Sequence, residues 1–218
     1  MKSFVFGHTV NQLPIMAYEF GTKGPKVLIL GGVHGDEIEG VQAASALLHR
    51  FATNFSYRLQ LTICPQFNYE GVLAAKRKNP NNVDLNRNLP TNDWTSDVAQ
   101  EKYDPGKEAN SEPENQALVQ WLEAHHPSLI ISLHSWKPML NTNGNCQMEA
   151  EVISKLTGYE VHDSIGYPTP GCLGTYCGLE RDMPTITYEL ERGMPIKPII
   201  KKHVPAILEA LKVTEERR

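Results

Sequence analysis

Short apolar runs alternate along the chain with segments whose apolar residues recur every three or four positions. The runs at 26–30, 59–63, 129–133 and 185–190 are rich in Ile, Leu and Val without clean alternation, the pattern of strands buried on both faces. Phe4 and Phe6, then Ile15 and Ala17, predict two outer strands ahead of them. Val41, Ala44, Leu48 and Phe51 keep helical spacing, as do Leu118, Trp121 and Leu122. A third helix is expected to start within 151–156. Val204, Ile207, Leu208 and Leu211 mark a last one, with Pro205 near its start. Ser111-Glu112-Pro113-Glu114 reads as a capping box that opens the second helix, with proline tolerated in the first turn. Strands alternating with helices predict an α/β fold, a three-layer sandwich around a mixed, largely parallel central sheet.

No Ser/Gly/Pro linker divides the 218 residues, so a single domain spanning 1–218 is expected. A chain of this size buries enough surface to fold without a structural metal or disulfide, so any metal serves chemistry. The segment 67–110 is rich in Asn, Asp and Pro and keeps no sustained period; a loop of that length in a compact domain is usually functional, and it reads as a binding segment.

Charge narrows the partners. Twenty-one basic against 25 acidic residues give a net charge of −4, and no basic block exceeds Lys76-Arg77-Lys78, which argues against nucleic acid. The apolar stretch before Gly7 is too short for a signal-peptide core and nothing reaches about 18 uninterrupted apolar residues, so no membrane partner and a cytoplasmic location are expected. The four cysteines form no CxxC pair and read as reduced thiols, with a Cys172–Cys177 bridge the minor alternative.

The chemistry lies at the ends of the buried strands. The run 27–33 ends in His34-Gly35-Asp36-Glu37, His134 comes at the end of another strand and Glu189 near the end of a third. Sites in open α/β sheets lie at the carboxyl ends of strands, so parallel neighbours would bring all four side chains to one edge. Two imidazoles and one carboxylate are a catalytic zinc set with a fourth position for water, and a second carboxylate can take the water's proton. The remaining histidines, including His8, His49, His162 and His203, read as surface or packing residues, and His125 and His126 as a helix end.

The HxxE at His34 co-occurs, in order, with Val83-Asp84-Leu85-Asn86-Arg87-Asn88, Ser132-Leu133-His134-Ser135 and Thr187-Tyr188-Glu189-Leu190. Together these resemble the zinc carboxypeptidase family typified by pancreatic carboxypeptidase A, over about residues 26–191. The resemblance implies that fold, one zinc ion per chain on His34, Glu37 and His134, and Glu189 as general base. It further implies that Asn86 and Arg87 clamp a substrate carboxylate and that Arg77 polarises the scissile carbonyl. A guanidinium suits both tasks, since it binds carboxylate bidentately and keeps its proton.

The segments 167–176 and 183–190 resemble more closely the bacterial murein peptide amidases, a cytoplasmic subfamily that cuts between γ-D-glutamate and meso-diaminopimelate. The expected partner is then a small peptide with a free carboxylate. The family's substrate-covering tyrosine has two candidates, Tyr176 and Tyr167; Tyr176 is preferred because Gly174 and Gly178 would let its backbone approach a ligand. Glu180, Arg181 and Asp182 are charged candidates for side-chain selectivity. Two other readings stand beside this one. One is an N-acyl amino acid deacylase of the aspartoacylase or succinylglutamate desuccinylase type, which is similar around Gly35, Asp84 and Arg87; the other is a zinc-bearing binding module without catalysis.

Overall fold

The computed structural model describes residues 1–98 and 100–217. Among the described residues eight strands form one sheet: β1 (Lys2–His8), β2 (Pro14–Phe20), β3 (Lys26–Gly31), β4 (Gln60–Cys64), β5 (Leu129–Trp136), β6 (Met139–Asn143), β7 (Val161–His162) and β8 (Thr185–Glu191). Their order is β1-β2-β4-β3-β5-β8-β6-β7. The centre, β4-β3-β5-β8, is parallel, whereas β1-β2, β2-β4 and β6-β8 pair antiparallel. The expected mixed sheet is therefore present, and its four apolar runs are the four central strands.

One face of the sheet is covered by α1 (Ile38–Thr53), α4 (Gln147–Thr157) and α6 (Val204–Arg217). Ala44, Leu47, Phe51, Ile153, Ile207 and Leu211 pack there on Ile29, Ile131, Leu133 and Ile186. The short α5 (Ile196–Pro198) and a wider turn at Ile199–His203 lead directly into α6. The other face carries α3 (Pro113–His125), whose Leu118, Trp121 and Leu122 meet Leu28, Leu30, Ile130 and Phe6. Each fully buried Leu or Ile contributes about 1.5–3 kcal/mol, so the two apolar layers hold the sheet rigid beneath the loops at its carboxyl edge.

Two glycines fix how the first of those loops leaves the sheet. A Cβ on Gly40 would fall 2.3 Å from the carbonyl oxygen of Leu133, so α1 can press against β5 only with glycine there. A Cβ on Gly35 would collide with the backbone of Gly71, at the short helix α2 (Tyr69–Ala74).

Several expectations are corrected. The third helix is α4 and starts earlier, at Gln147, while β6, β7 and α2 had no strong apolar pattern to announce them. The capping box does not form: the N-cap of α3 is Glu112 and makes no side-chain cap. Ser111 Oγ instead donates to Glu112 Oε1 and accepts from Asn88 Nδ2, while Glu114 accepts from Asn79 and from Val10 N. These side chains clamp the 67–110 loop onto α3. The cysteines carry no disulfide, in line with the expected reduced thiols, and only the minor alternative of a Cys172–Cys177 bridge falls away. No helix among the described residues is long and apolar enough to cross a membrane.

Candidate active site

His34 lies just beyond β3, His134 within β5 and Glu189 within β8. His134 and Glu189 are register partners in adjacent parallel strands and so project to the same face. Glu37 stands at the N-cap position of α1, but its carboxylate makes no helix cap. It turns to the imidazoles: Oε1 lies 2.9 Å from His34 Nδ1, and Oε2 lies 2.9 Å from His134 Nδ1. The two Nδ1 atoms are 3.2 Å apart.

Three buried donor atoms at such separations suit a small cation. Arms of about 2.0–2.1 Å to a tetrahedral zinc ion place ligand atoms roughly 3.3 Å from one another. His34, Glu37 and His134 form a group in which the potential ligand atoms all lie within 4.8 Å, and the remaining nitrogen of each imidazole is already engaged. His34 Nε2 is 3.0 Å from Asp84 Oδ1, and His134 Nε2 is 2.9 Å from Ser132 Oγ. Such outer contacts fix ring orientation and leave the Nδ1 lone pairs facing the centre.

The electrostatics follow from this packing. Burial works to raise the Glu37 carboxyl, but the two imidazoles outweigh it and hold the group well below its ordinary range. Asp84 is likewise desolvated yet lowered, by His34, Arg77 and Arg87. It accepts from His34, from Asn86 N at 2.9 Å, and from Arg77 Nε and Nη2 at 3.0 and 2.8 Å. Asp84 escaped the sequence reading as a functional residue although it stands in the same motif as Asn86 and Arg87. Glu189 behaves oppositely: burial, with Glu37 adding, pushes it up to about 7 against the opposing pull of His134, Arg77 and Arg192. Its Oε2 is buried without a hydrogen-bond partner.

His34, Glu37 and Glu189 line one pocket together with Arg77, Asn86, Arg87, Tyr103, Tyr167 and Arg192. Its volume is about 250 Å³, room for a small peptide segment. Arg77 is held by Asp84 and places Nη1 3.3 Å from Glu37 Oε1. Asn86 Oδ1 accepts from Leu173 N at 2.9 Å, so its NH₂ remains as donor. Arg87 is only 4% exposed, yet no carboxylate pairs with it among the described residues; its Nη1 donates to Asn86 O, and its guanidinium lies 5.0 Å from the Tyr103 ring centre.

Tyr176 is the correction. Its ring is fully buried in the layer beneath the loops, with the Arg181 guanidinium 3.6 Å from its centre, and it does not reach the pocket. Gly174 and Gly178 permit a different close approach: a Cβ on either would strike Asn143 of β6 at 2.3 Å. Tyr167 takes the pocket position, stacked with Tyr103 at 6.0 Å and edge-on to Trp136 at 5.8 Å. Burial, together with the Tyr103 hydroxyl beside it, pushes Tyr167 up to about 12. Glu180 and Arg181 also lie outside the pocket; Glu180 accepts from Asn92 N and pairs with Arg181. Tyr103, Lys102, Asn141 and Arg192 line the pocket without having been singled out from sequence. Only Arg192 carried a usable signal, as a cation just past the carboxyl end of the strand that bears Glu189.

Comparison with known proteins agrees with this geometry. A family model described as zinc carboxypeptidase matches residues 1–184, a span that ends before Glu189. The murein peptide amidase A of Vibrio campbellii is 30% identical over 94% of this chain and 86% of its own length. The crystal structure of murein-tripeptide amidase MpaA from Escherichia coli O157 superposes with a TM-score of 0.80 at 23% identity, covering 97% of this chain and 92% of that one. A carboxypeptidase A from Helicoverpa armigera gives 0.83 at 17% identity, over 99% and 68%.

Proposed function

The chain belongs to the zinc carboxypeptidase family, and on that premise we propose that it hydrolyses an amide bond beside a free carboxylate. The substrate implied by its likeness to murein peptide amidases is the γ-D-glutamyl–meso-diaminopimelate bond of a murein peptide. The observation that carries this reading is Arg87, a buried cation in the pocket with no carboxylate partner among the described residues. A buried charge left unpaired is costly, and a substrate carboxylate compensates it bidentately.

In this reading His34, Glu37 and His134 hold one zinc ion per chain. When bound, that ion supplies Lewis acidity, bringing the pKa of a water toward about 7 and polarising a carbonyl. Glu189 takes the proton of the attacking water on its unpartnered Oε2 and returns it to the leaving nitrogen. Arg77, anchored by Asp84, stabilises the charge that develops on the carbonyl oxygen. Arg87 and the Asn86 NH₂ hold the carboxylate of the leaving half, and Tyr167 covers the bound peptide. The reading extends to one catalytic unit over residues 1–218 acting in peptidoglycan recycling in the cytoplasm.

The test is a panel in which L-Ala-γ-D-Glu-meso-diaminopimelate is assayed beside N-acetyl and N-succinyl amino acids. Preferential turnover of the tripeptide supports the assignment. Preferential turnover of the N-acyl amino acids overturns it in favour of a deacylase.

A further inference from the structure

Arg192 and Arg87 come to the pocket around the His34-Glu37-His134-Glu189 cluster from different elements. Asn86 and Arg87 belong to the loops over the face of the sheet that packs Leu85, Leu89 and Leu173. Arg192 follows β8, reaches across the end of β5, where Nη1 is 3.4 Å from Ser135 O, and pairs through Nη2 with Asp36 Oδ2 at 2.7 Å. Asp36 lies two residues ahead of α1, the helix that packs on the other face. Both Arg192 and Asp36 line the pocket. Arg192 is half-exposed, with Nη1 also 3.9 Å from Glu37 Oε1, and keeps N–H groups beyond these contacts, while Asp36 Oδ1 is buried with no hydrogen-bond partner.

We infer that Arg192 and Asp36 form a specificity site for the acyl half of the substrate, reading a carbon that bears both a free carboxylate and an amide N–H. This rests on the proposed amide hydrolysis and names what that site selects. With the leaving half's carboxylate on Arg87, the acyl half extends across the cluster toward Arg192. A cation beside an unsatisfied acceptor complements a carboxylate beside a donor, and in the acyl half of an amide that pair occurs on one carbon only where an acidic residue, such as glutamyl, is linked through its side chain. In an α-linked peptide the same carboxylate is consumed in the scissile amide, so the fork of Arg192 has no anion to bind. Selection for the γ-linkage is then a charge-assisted contact remote from the reacting atoms.

The experiment measures kcat and KM on two peptides, L-Ala-γ-D-Glu-meso-diaminopimelate and the same peptide with the glutamyl α-carboxylate converted to a carboxamide. Wild type, Arg192→Gln and Arg192→Lys are compared, each loaded with zinc. Wild type should favour the free acid by about 10–100-fold in kcat/KM, the range of a charge-assisted hydrogen bond. Arg192→Gln should lose that preference, its kcat/KM falling much further on the acid than on the carboxamide until the two are cleaved alike, and Arg192→Lys should recover part of it. Equal losses on both peptides in Arg192→Gln, or a wild type indifferent to the carboxamide, would overturn the inference while leaving the amide hydrolase reading intact. A wild type that cleaves neither peptide would overturn that reading, and the inference with it.

Discussion

Asp84 Oδ1 lies 3.0 Å from His34 Nε2, and this contact decides which ring nitrogen His34 turns toward Glu37 and His134. Because the carboxylate is held ionised by its neighbours, the imidazole donates from Nε2 and presents a lone pair at Nδ1.

Weakening that contact should therefore loosen the metal without removing a ligand. In Asp84→Asn, zinc affinity should fall about 10–100-fold, the usual effect of losing an outer-shell carboxylate. Competition against a chromogenic chelator measures it, and an unchanged affinity would detach Asp84 from the metal site.

Glu189 contributes a proton acceptor and no ligand atom in this account. Glu189→Gln should keep its zinc and lose about 10²–10⁴-fold in kcat, the range for a general base. The pH dependence has a definite sign: with its pKa raised to about 7 by burial, Glu189 is protonated and inactive at low pH, so the rate climbs as pH rises. A nearby cation favours the carboxylate and moves the midpoint below that value. The acidic limb of kcat/KM should disappear in the Gln variant; a retained limb would assign it to another group.

Arg87→Ala removes the proposed carboxylate anchor. It should lower kcat/KM about 10–100-fold on peptides with a free carboxylate on the leaving half and leave the carboxamide analogues nearly unchanged. Equal losses on both would make Arg87 a structural residue.

His203 gives the fold a pH limit distinct from the active site. It is fully buried beside Tyr159 and Tyr188, with Nδ1 2.6 Å from the Tyr188 hydroxyl. Burial, with Lys202 adding, lowers its pKa from 6.5 to about 4. The unfolded chain binds the proton first, so stability from this group is complete above pH 6.5 and is lost as pH falls toward 4, by as much as about 3 kcal/mol. Thermal unfolding across that window should show a slope that His203→Gln flattens; an identical slope in the variant would assign it elsewhere.

The central strands and the chemistry at their ends were legible because one physical fact produces both. Strands buried on two faces read as apolar runs, so His34, His134 and Glu189 stand out as polar groups where such runs end. What escaped depends on contacts between segments distant in sequence. Glycines at 174 and 178 signal a close approach but not its partner, which is Asn143 and not a ligand, so the choice of Tyr176 over Tyr167 followed a correct rule to the wrong object. Ser111 and Glu114 have the spacing of a capping box, yet Asn88, Asn79 and Val10 offered them other partners. β6, with the sequence MLNTN, carries too few apolar positions to announce a strand, although its pairing with β8 brings Asn141 to the pocket.

The most direct test of the central claim is mass spectrometry of L-Ala-γ-D-Glu-meso-diaminopimelate incubated with the zinc-loaded protein, the chelator-treated protein and the latter resupplied with zinc. The account predicts L-Ala-D-Glu and free meso-diaminopimelate with zinc, intact tripeptide after chelation and recovery on readdition. An intact tripeptide in all three samples, or cleavage that survives complete removal of metal, would contradict it.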